Sequence, residues 1–232
     1  METKKKAVLL GATGLVGRRV LERLLASPAY ERVTVVSRRA LPARDKLTQD
    51  KLTQDKLTQV VLDDLAAMDG EPFEGADDVF CALGTTIRQA GTQARFREVD
   101  YEYPVAAARL AAAAGAQRYV LVSSMGADPS SKIFYSRVKG ETEAAVRASG
   151  VPMISIVRPS LLLGEREQFR LGERIGVWVA RPLMFAFAGP LRKYRPIEAD
   201  DVAAVMVRVA QMFLPGTHVY ENDQLHRMAP NS

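Results

Sequence analysis

The sequence of 232 residues contains one cysteine and two histidines, and each scarcity removes a class of function. A lone Cys81 excludes an internal disulfide and fits a reducing compartment. Met1 is followed by charges, with no signal-peptide pattern, so the expected location is cytoplasmic. His218 and His226 have no cysteine or carboxylate partners at ligand spacing, and no metal is assigned. Long hydrophobic runs are missing too. The apolar stretch 175–188 is interrupted by Arg181 and Pro182 and falls short of the roughly 20 residues that span a bilayer, so no transmembrane segment is expected. Peripheral membrane contact stays open. No block of one charge exists either: 32 basic and 27 acidic side chains are interspersed, and nothing resembles a nucleic-acid-binding arm. The residual +5 suits an anionic ligand. What remains, 47% apolar and 25% charged, describes one globular domain over 1–232 with enough chain for a sizeable core.

Short apolar runs alternate with helical patterns. AVLL at 7–10 leads through GATGLVG into helical spacing over 15–26, and RVTVVSRR at 32–39 follows as a second strand. Further strands are expected at 57–63, 76–84, 118–124 and 153–159. A long helix is expected over 96–114, where Phe96, Val99, Tyr103, Ala106, Leu110 and Ala114 recur at steps of three and four, and another over about 132–148. Continuous aliphatic strands separated by helices predict an α/β protein: a Rossmann-like, doubly wound parallel sheet covered on both faces, with a short C-terminal substrate-side segment, 160–232, integrated into the domain. Such sheets bind ligands beyond the carboxyl ends of their strands. A last helix is expected after Pro196, with Asp200 as its cap.

Three constellations sit at those ends. Gly11, Gly14 and Gly17 form a turn entering the first helix, where unpaired amides and a positive dipole end accept a pyrophosphate. At the end of the second strand, where a carboxylate would receive ribose hydroxyls, stand Ser37, Arg38 and Arg39, so NADP(H) is favoured over NAD. Asp63 and Asp64 end the third strand, placed to face an adenine amino group or simply to shape a turn. The third constellation is Tyr135 with Lys139, four apart on one helix face, where the ammonium favours a phenolate able to exchange a proton with a carbonyl or alcohol. Ser124 closes the fifth strand and is placed to polarise the same oxygen, with Ser123 as the alternative nearer the core.

GATGLVG at 11–17, SRR at 37–39, CALGTT at 81–86, VSSMGAD at 122–128, Tyr135 to Lys139 with Gly140-Glu141, and RPSLLLGER at 158–166 together carry a resemblance. The chain resembles the atypical branch of the short-chain dehydrogenase/reductase superfamily, and within it the small NAD(P)-binding proteins related to the mammalian Tat-interacting tumour suppressor. The resemblance implies that Tyr135 is the acid/base, that Lys139 also holds the nicotinamide ribose, and that Ser124 orients the carbonyl. It implies that the turn with Thr13, Leu15 and Val16 carries the pyrophosphate, that Cys81, Leu83 and Gly84 pass the adenosine side, and that Pro159 lies beside the nicotinamide. The short C-terminal segment departs from the extended dehydrogenases that process nucleotide sugars. A small pocket is therefore expected over 161–196, with Trp178, Phe185 and Phe187 as apolar lining. Arg166, Arg170, Arg174, Arg181, Arg192, Lys193 and Arg195 either solvate that segment or gather an acidic substrate or partner.

The implied activity is NADPH-dependent hydride transfer to a small or medium apolar carbonyl or quinone. The alternative is an NADP(H)-binding regulatory or protein-interaction module with little turnover, and a homodimer or protein partner fits either. One stretch fits no packing pattern. DKLTQ occurs three times in succession from Asp45 to Gln59, and a period of five rotates its leucines by about 140° per step on a helix. Residues 45–54 are expected to be a duplicated loop insertion, with only the last copy feeding the third strand.

Overall fold

The protein is described by a computed structural model over residues 4–42, 54–163 and 194–230. Strand β1 (Lys5–Leu10) is followed by helix α1 (Leu15–Ala26), β2 (Tyr30–Ser37), β3 (Leu57–Val61) and β4 (Asp78–Cys81). Two short helices, α2 (Ile87–Ala90) and α3 (Gln93–Arg97), run through a wide π-type turn (Glu98–Glu102) into α4 (Tyr103–Ala113). Then come β5 (Arg118–Val122), α5 (Phe134–Arg147), β6 (Met153–Arg158), β7 (Leu162–Leu163), β8 (Ile197–Glu198), α6 (Ala199–Val209), β9 (Gly216–Glu221) and α7 (Asn222–Met228).

Seven strands make one sheet in the order β3-β2-β1-β4-β5-β6-β9, and every pairing is parallel. Side-chain alternation along β1 shows why both faces are covered: Ala7 and Leu9 enter one core with Val20, Leu24 and Met206 of α1 and α6. Val8 and Leu10 enter the other with Tyr103, Ala107, Ala108 and Ala111 of α4. The doubly wound expectation holds, and the strand order reverses between β1 and β4, where such sheets take their ligands.

Three local readings are corrected, and one strand was missed. The helix expected over 96–114 is interrupted by the wide turn, whose extra residue rotates the buried face, so that Ala107, Ala108 and Ala111 are buried in place of Ala106, Leu110 and Ala114. Asp200 is not the cap of α6. Glu198 holds the cap position without a side-chain bond, and Asp200 pairs with Arg23 of α1 at 2.7 Å. Asp63 and Asp64 lie beyond the end of β3, which stops at Val61. Strand β9, at the edge beside β6, was not expected at all.

The third DKLTQ copy does feed the sheet. Leu57 opens β3, Lys56 donates to the Leu25 and Ser27 carbonyls, and Gln59 accepts from the Leu41 amide at 2.9 Å. Most of the first two copies, and Trp178, Phe185, Phe187 and the basic residues from Arg166 to Lys193, lie outside the described residues. What is described of the C-terminal segment is its frame: β7 pairs with β8, and the Arg195 carbonyl accepts from Ser160 Oγ (2.6 Å) and Asn222 Nδ2 (2.8 Å).

Candidate active site

The glycine turn is built by the chain's own close contacts. A Cβ on Gly11, at φ +85°, would stand 2.6 Å from the Ala82 backbone, and one on Gly17 would stand 2.0 Å from the Gly11 carbonyl. These two glycines let α1 descend onto the turn and let the turn press against the exit of β4. Val16 and Gly17 are buried, so they offer a ligand backbone only, whereas Thr13 and Gly14 are exposed. Gly14 caps α1 without a side-chain bond, and no acidic residue occupies the first turn. Open amides at a positive helix end with no competing carboxylate fit a dinucleotide pyrophosphate.

At the end of β2 the buried Ser37 hydroxyl donates to the Arg39 carbonyl at 2.7 Å. Ser37 thus shapes the bend that leaves Arg38 and Arg39 exposed. Asp64 accepts from the Ala66 amide (2.9 Å) and the Tyr103 hydroxyl (2.6 Å), and these bonds, the backbone one first, hold its carboxyl below the usual range. That carboxylate serves the fold, while Asp63 is exposed. Cys81 is wholly enclosed and burial pushes its thiol up, so any share it has in the turn through Leu83 and Gly84 is a matter of backbone. Pro159 is buried too. Its carbonyl accepts from the Met125 amide at 3.0 Å, which ties the exits of β5 and β6 together.

Tyr135 lies in the first turn of α5 and is half-buried against the Phe96 ring, 5.5 Å between centroids. Lys139, one turn on, is 6% exposed, with Nζ 2.7 Å from Asp100 Oδ1. Burial works to lower this ammonium's pKa; Asp100 first, then Tyr135, overcome it and hold the group above its ordinary value. The loop after β5 is seated on α5 at Gly140, where a Cβ would stand 2.2 Å from the Pro129 nitrogen, and by the Asp128 amide donating to the Ser136 carbonyl.

The two serines separate clearly. Ser123 donates to the buried Glu143 at 2.6 Å, and Glu143 also receives two bonds from Arg158. Glu143 first, opposed by burial, and then Glu221 raise the pKa of that guanidinium. Ser123 is therefore committed to the frame. Among the described residues Ser124 Oγ has only a 3.4 Å contact to the Met125 carbonyl, so its hydroxyl is not tied into the frame as that of Ser123 is. Sequence reasoning missed Asp100 and Glu143. Asp100 had a signal, since it stands four residues after Phe96 on the apolar face of the expected helix, where a carboxylate needs a partner.

The chain's shapes and donors thus fit a nicotinamide dinucleotide. Gly11 to Gly17 would hold its pyrophosphate, and Arg38 and Arg39 are exposed just beyond the carboxyl end of β2. Residues 11–212 match the NAD(P)H-binding family. Protein HTATIP2 of Rattus norvegicus is 38% identical over 178 residues, which cover 76% of this chain and 69% of that protein. Protein FMP52-1, mitochondrial, of Scheffersomyces stipitis is 36% identical over 209 residues, 88% of each chain. MoeE5 in complex with UDP-glucuronic acid and NAD superposes with a TM-score of 0.69 at 18% identity, covering 92% of this chain and 75% of that one, a likeness of fold. The cytoplasmic expectation is corrected, because the similar FMP52 proteins of several fungi are mitochondrial by name. Among the described residues no helix is long and apolar enough to cross a membrane. The chain belongs to the NAD(P)H-binding family of Rossmann-fold oxidoreductases, related to the HTATIP2 and FMP52 proteins.

Proposed function

We propose that the protein is an NADPH-dependent reductase of small or medium apolar aldehydes, ketones or quinones. The observation that carries this reading is where the turn after β4, which packs against the Gly11 turn, meets the helix of Tyr135: a Cβ on Gly84 would stand 3.8 Å from Lys139 Nζ. The nicotinamide, when bound, supplies the hydride. The chain's part is to orient and to move a proton. Ser124 Oγ donates to the carbonyl oxygen, Tyr135 gives its hydroxyl proton to that oxygen, and Lys139 keeps a positive charge beside the phenol. Arg38 and Arg39, exposed where an acidic residue would receive ribose hydroxyls, support NADPH over NADH. Ile133 and Leu161, 66% and 64% exposed, rim the same end of the sheet with apolar surface and support an apolar substrate. MoeE5, alike in fold, is named with a nucleotide sugar and NAD, so nucleotide sugars are the substrate class that competes with this reading.

Turnover is tested by NADPH oxidation against a panel of quinones, aliphatic and aromatic carbonyls and nucleotide sugars. Tyr135→Phe is expected to lower kcat by roughly 10²- to 10⁴-fold, the worth of a positioned general acid, while NADPH affinity by titration calorimetry stays within about twofold. Unchanged turnover in Tyr135→Phe removes Tyr135 as the acid. Strong turnover of nucleotide sugars overturns the substrate class, and silence across the panel with tight NADPH binding moves the assignment to a regulatory module.

A further inference from the structure

Asp100 is 1% exposed, and nothing in the proton transfer described above uses it. Its two carboxylate oxygens face different elements. Oδ2 accepts from the Thr85 amide at 2.9 Å, in the turn that follows β4, and Oδ1 faces Lys139 Nζ on α5 at 2.7 Å. Oδ1 is fully enclosed and has no hydrogen-bond partner of good angle, so its compensation is the ion pair. The backbone is held as well. Pro104, four residues on, has no N–H to give to the Asp100 carbonyl, and the Thr142 hydroxyl of α5 donates to that carbonyl at 2.7 Å. A single residue in the wide turn therefore joins the Gly84 turn to the helix that carries Tyr135 and Lys139.

We propose that Asp100 is the positioning residue of this site, and that it acts as a carboxylate: it fixes the Lys139 ammonium and locks α5 to the turn after β4. This inference rests on the reading of Tyr135 and Lys139 as the reacting pair. An amide at position 100 cannot replace the carboxylate. With its oxygen on the Thr85 N–H it presents NH₂ to an ammonium, and with its oxygen on Nζ it presents NH₂ to an N–H. The charged or titratable groups acting on Lys139 are Asp100 from the wide turn, Tyr135 from its own helix and Cys81 from β4. Without the carboxylate, burial governs, and the ammonium loses its proton more readily.

The test is pH-dependent amine labelling of Lys139, read by peptide mass spectrometry on the folded full chain, which needs no turnover. In Asp100→Asn the labelling rate of Lys139 at pH 8 to 9 is expected to rise at least about tenfold against exposed Lys132 as internal reference, and Asp100→Glu to stay nearer the parent. Labelling of Lys139 in Asp100→Asn equal to the parent overturns the proposal, even if Tyr135→Phe has confirmed the reductase. Should Asp100→Asn fail to fold, the double variant Asp100→Asn with Lys139→Met decides. Recovery of the parent melting temperature shows that the carboxylate is there for the ammonium, and a double variant as unstable as the single overturns it.

Discussion

A buried aspartate stands at each end of β4, and the two are finished differently. Asp78, at the amino end, is fully enclosed: Oδ2 accepts from the Tyr30 hydroxyl (2.6 Å) and Lys5 (3.2 Å), and Oδ1 from Arg118 (3.1 Å). Burial first, and then Asp78, raise the Tyr30 pKa, so this phenol keeps its proton and is closed to anything else. At the carboxyl end Asp100 meets one cation, Lys139, and the neighbouring phenol, Tyr135, is half-buried with its helix seated beside the weakly held Ser124. The residue types are the same. Satisfying every lone pair with fixed donors gives stability, whereas leaving a phenol and a hydroxyl open beside a fixed ammonium gives a place for chemistry.

The sharpest way to break this contrast is to remove the amino-end carboxylate. Asp78→Asn removes the counter-charge of Lys5 and Arg118 and leaves one neutral acceptor oxygen where Lys5, Arg118 and Tyr30 had two charged ones, and breaking a buried ionic cluster costs about 3 to 5 kcal/mol. Urea denaturation is expected to show that loss, with NADPH affinity of the folded variant unchanged. A fall in NADPH affinity at full folding would mean that the two ends are coupled and the division of labour is wrong.

A smaller effect, confined to the other end, is expected from Arg38→Ala. One charge-assisted bond to a 2′-phosphate corresponds to about ten- to hundredfold in affinity. Calorimetry should record that loss for NADPH with NADH unaffected and unfolding unchanged. Equal affinities of the parent for NADH and NADPH would sink the preference, whatever the variant does.

Much of this division is legible in the residues. The strands β1, β2, β5 and β6 announce themselves as aliphatic runs because both faces are buried, and the glycine turn is readable because only glycine tolerates the contacts at positions 11 and 17. Strand β9 is not legible: GTHVYE has no apolar run, since an edge strand buries little, and its pairing to β6 is a long-range choice. The rotated face of α4 escapes a periodic reading because one extra residue in the wide turn shifts the phase. Ser123 and Ser124 are alike as letters, and only the position of Glu143, twenty residues on, separates them. Asp100 shows its function only when the Thr85 amide and Lys139 are seen on opposite sides of one carboxylate.

The smallest effect concerns the connection between the carboxyl end of β2 and the amino end of β3. Its last DKLTQ copy is committed: Lys56 binds two carbonyls at the end of α1, Val33 donates to the Lys56 carbonyl at 2.8 Å, and Gln59 anchors Leu41. Deleting 45–54 retains that copy whole, along with Ser37, Arg38 and Arg39. The connection from 38 to 56 is then halved in length, and halving the length of a connection changes its closure cost by only about 0.6 kcal/mol. Denaturation should therefore find the deleted chain equal to the parent or slightly more stable, and calorimetry should find NADPH affinity within about twofold. Loss of NADPH binding in a deletion that folds normally would place the repeat in the adenosine end of the site, and the boundary of that region would have to be redrawn around it.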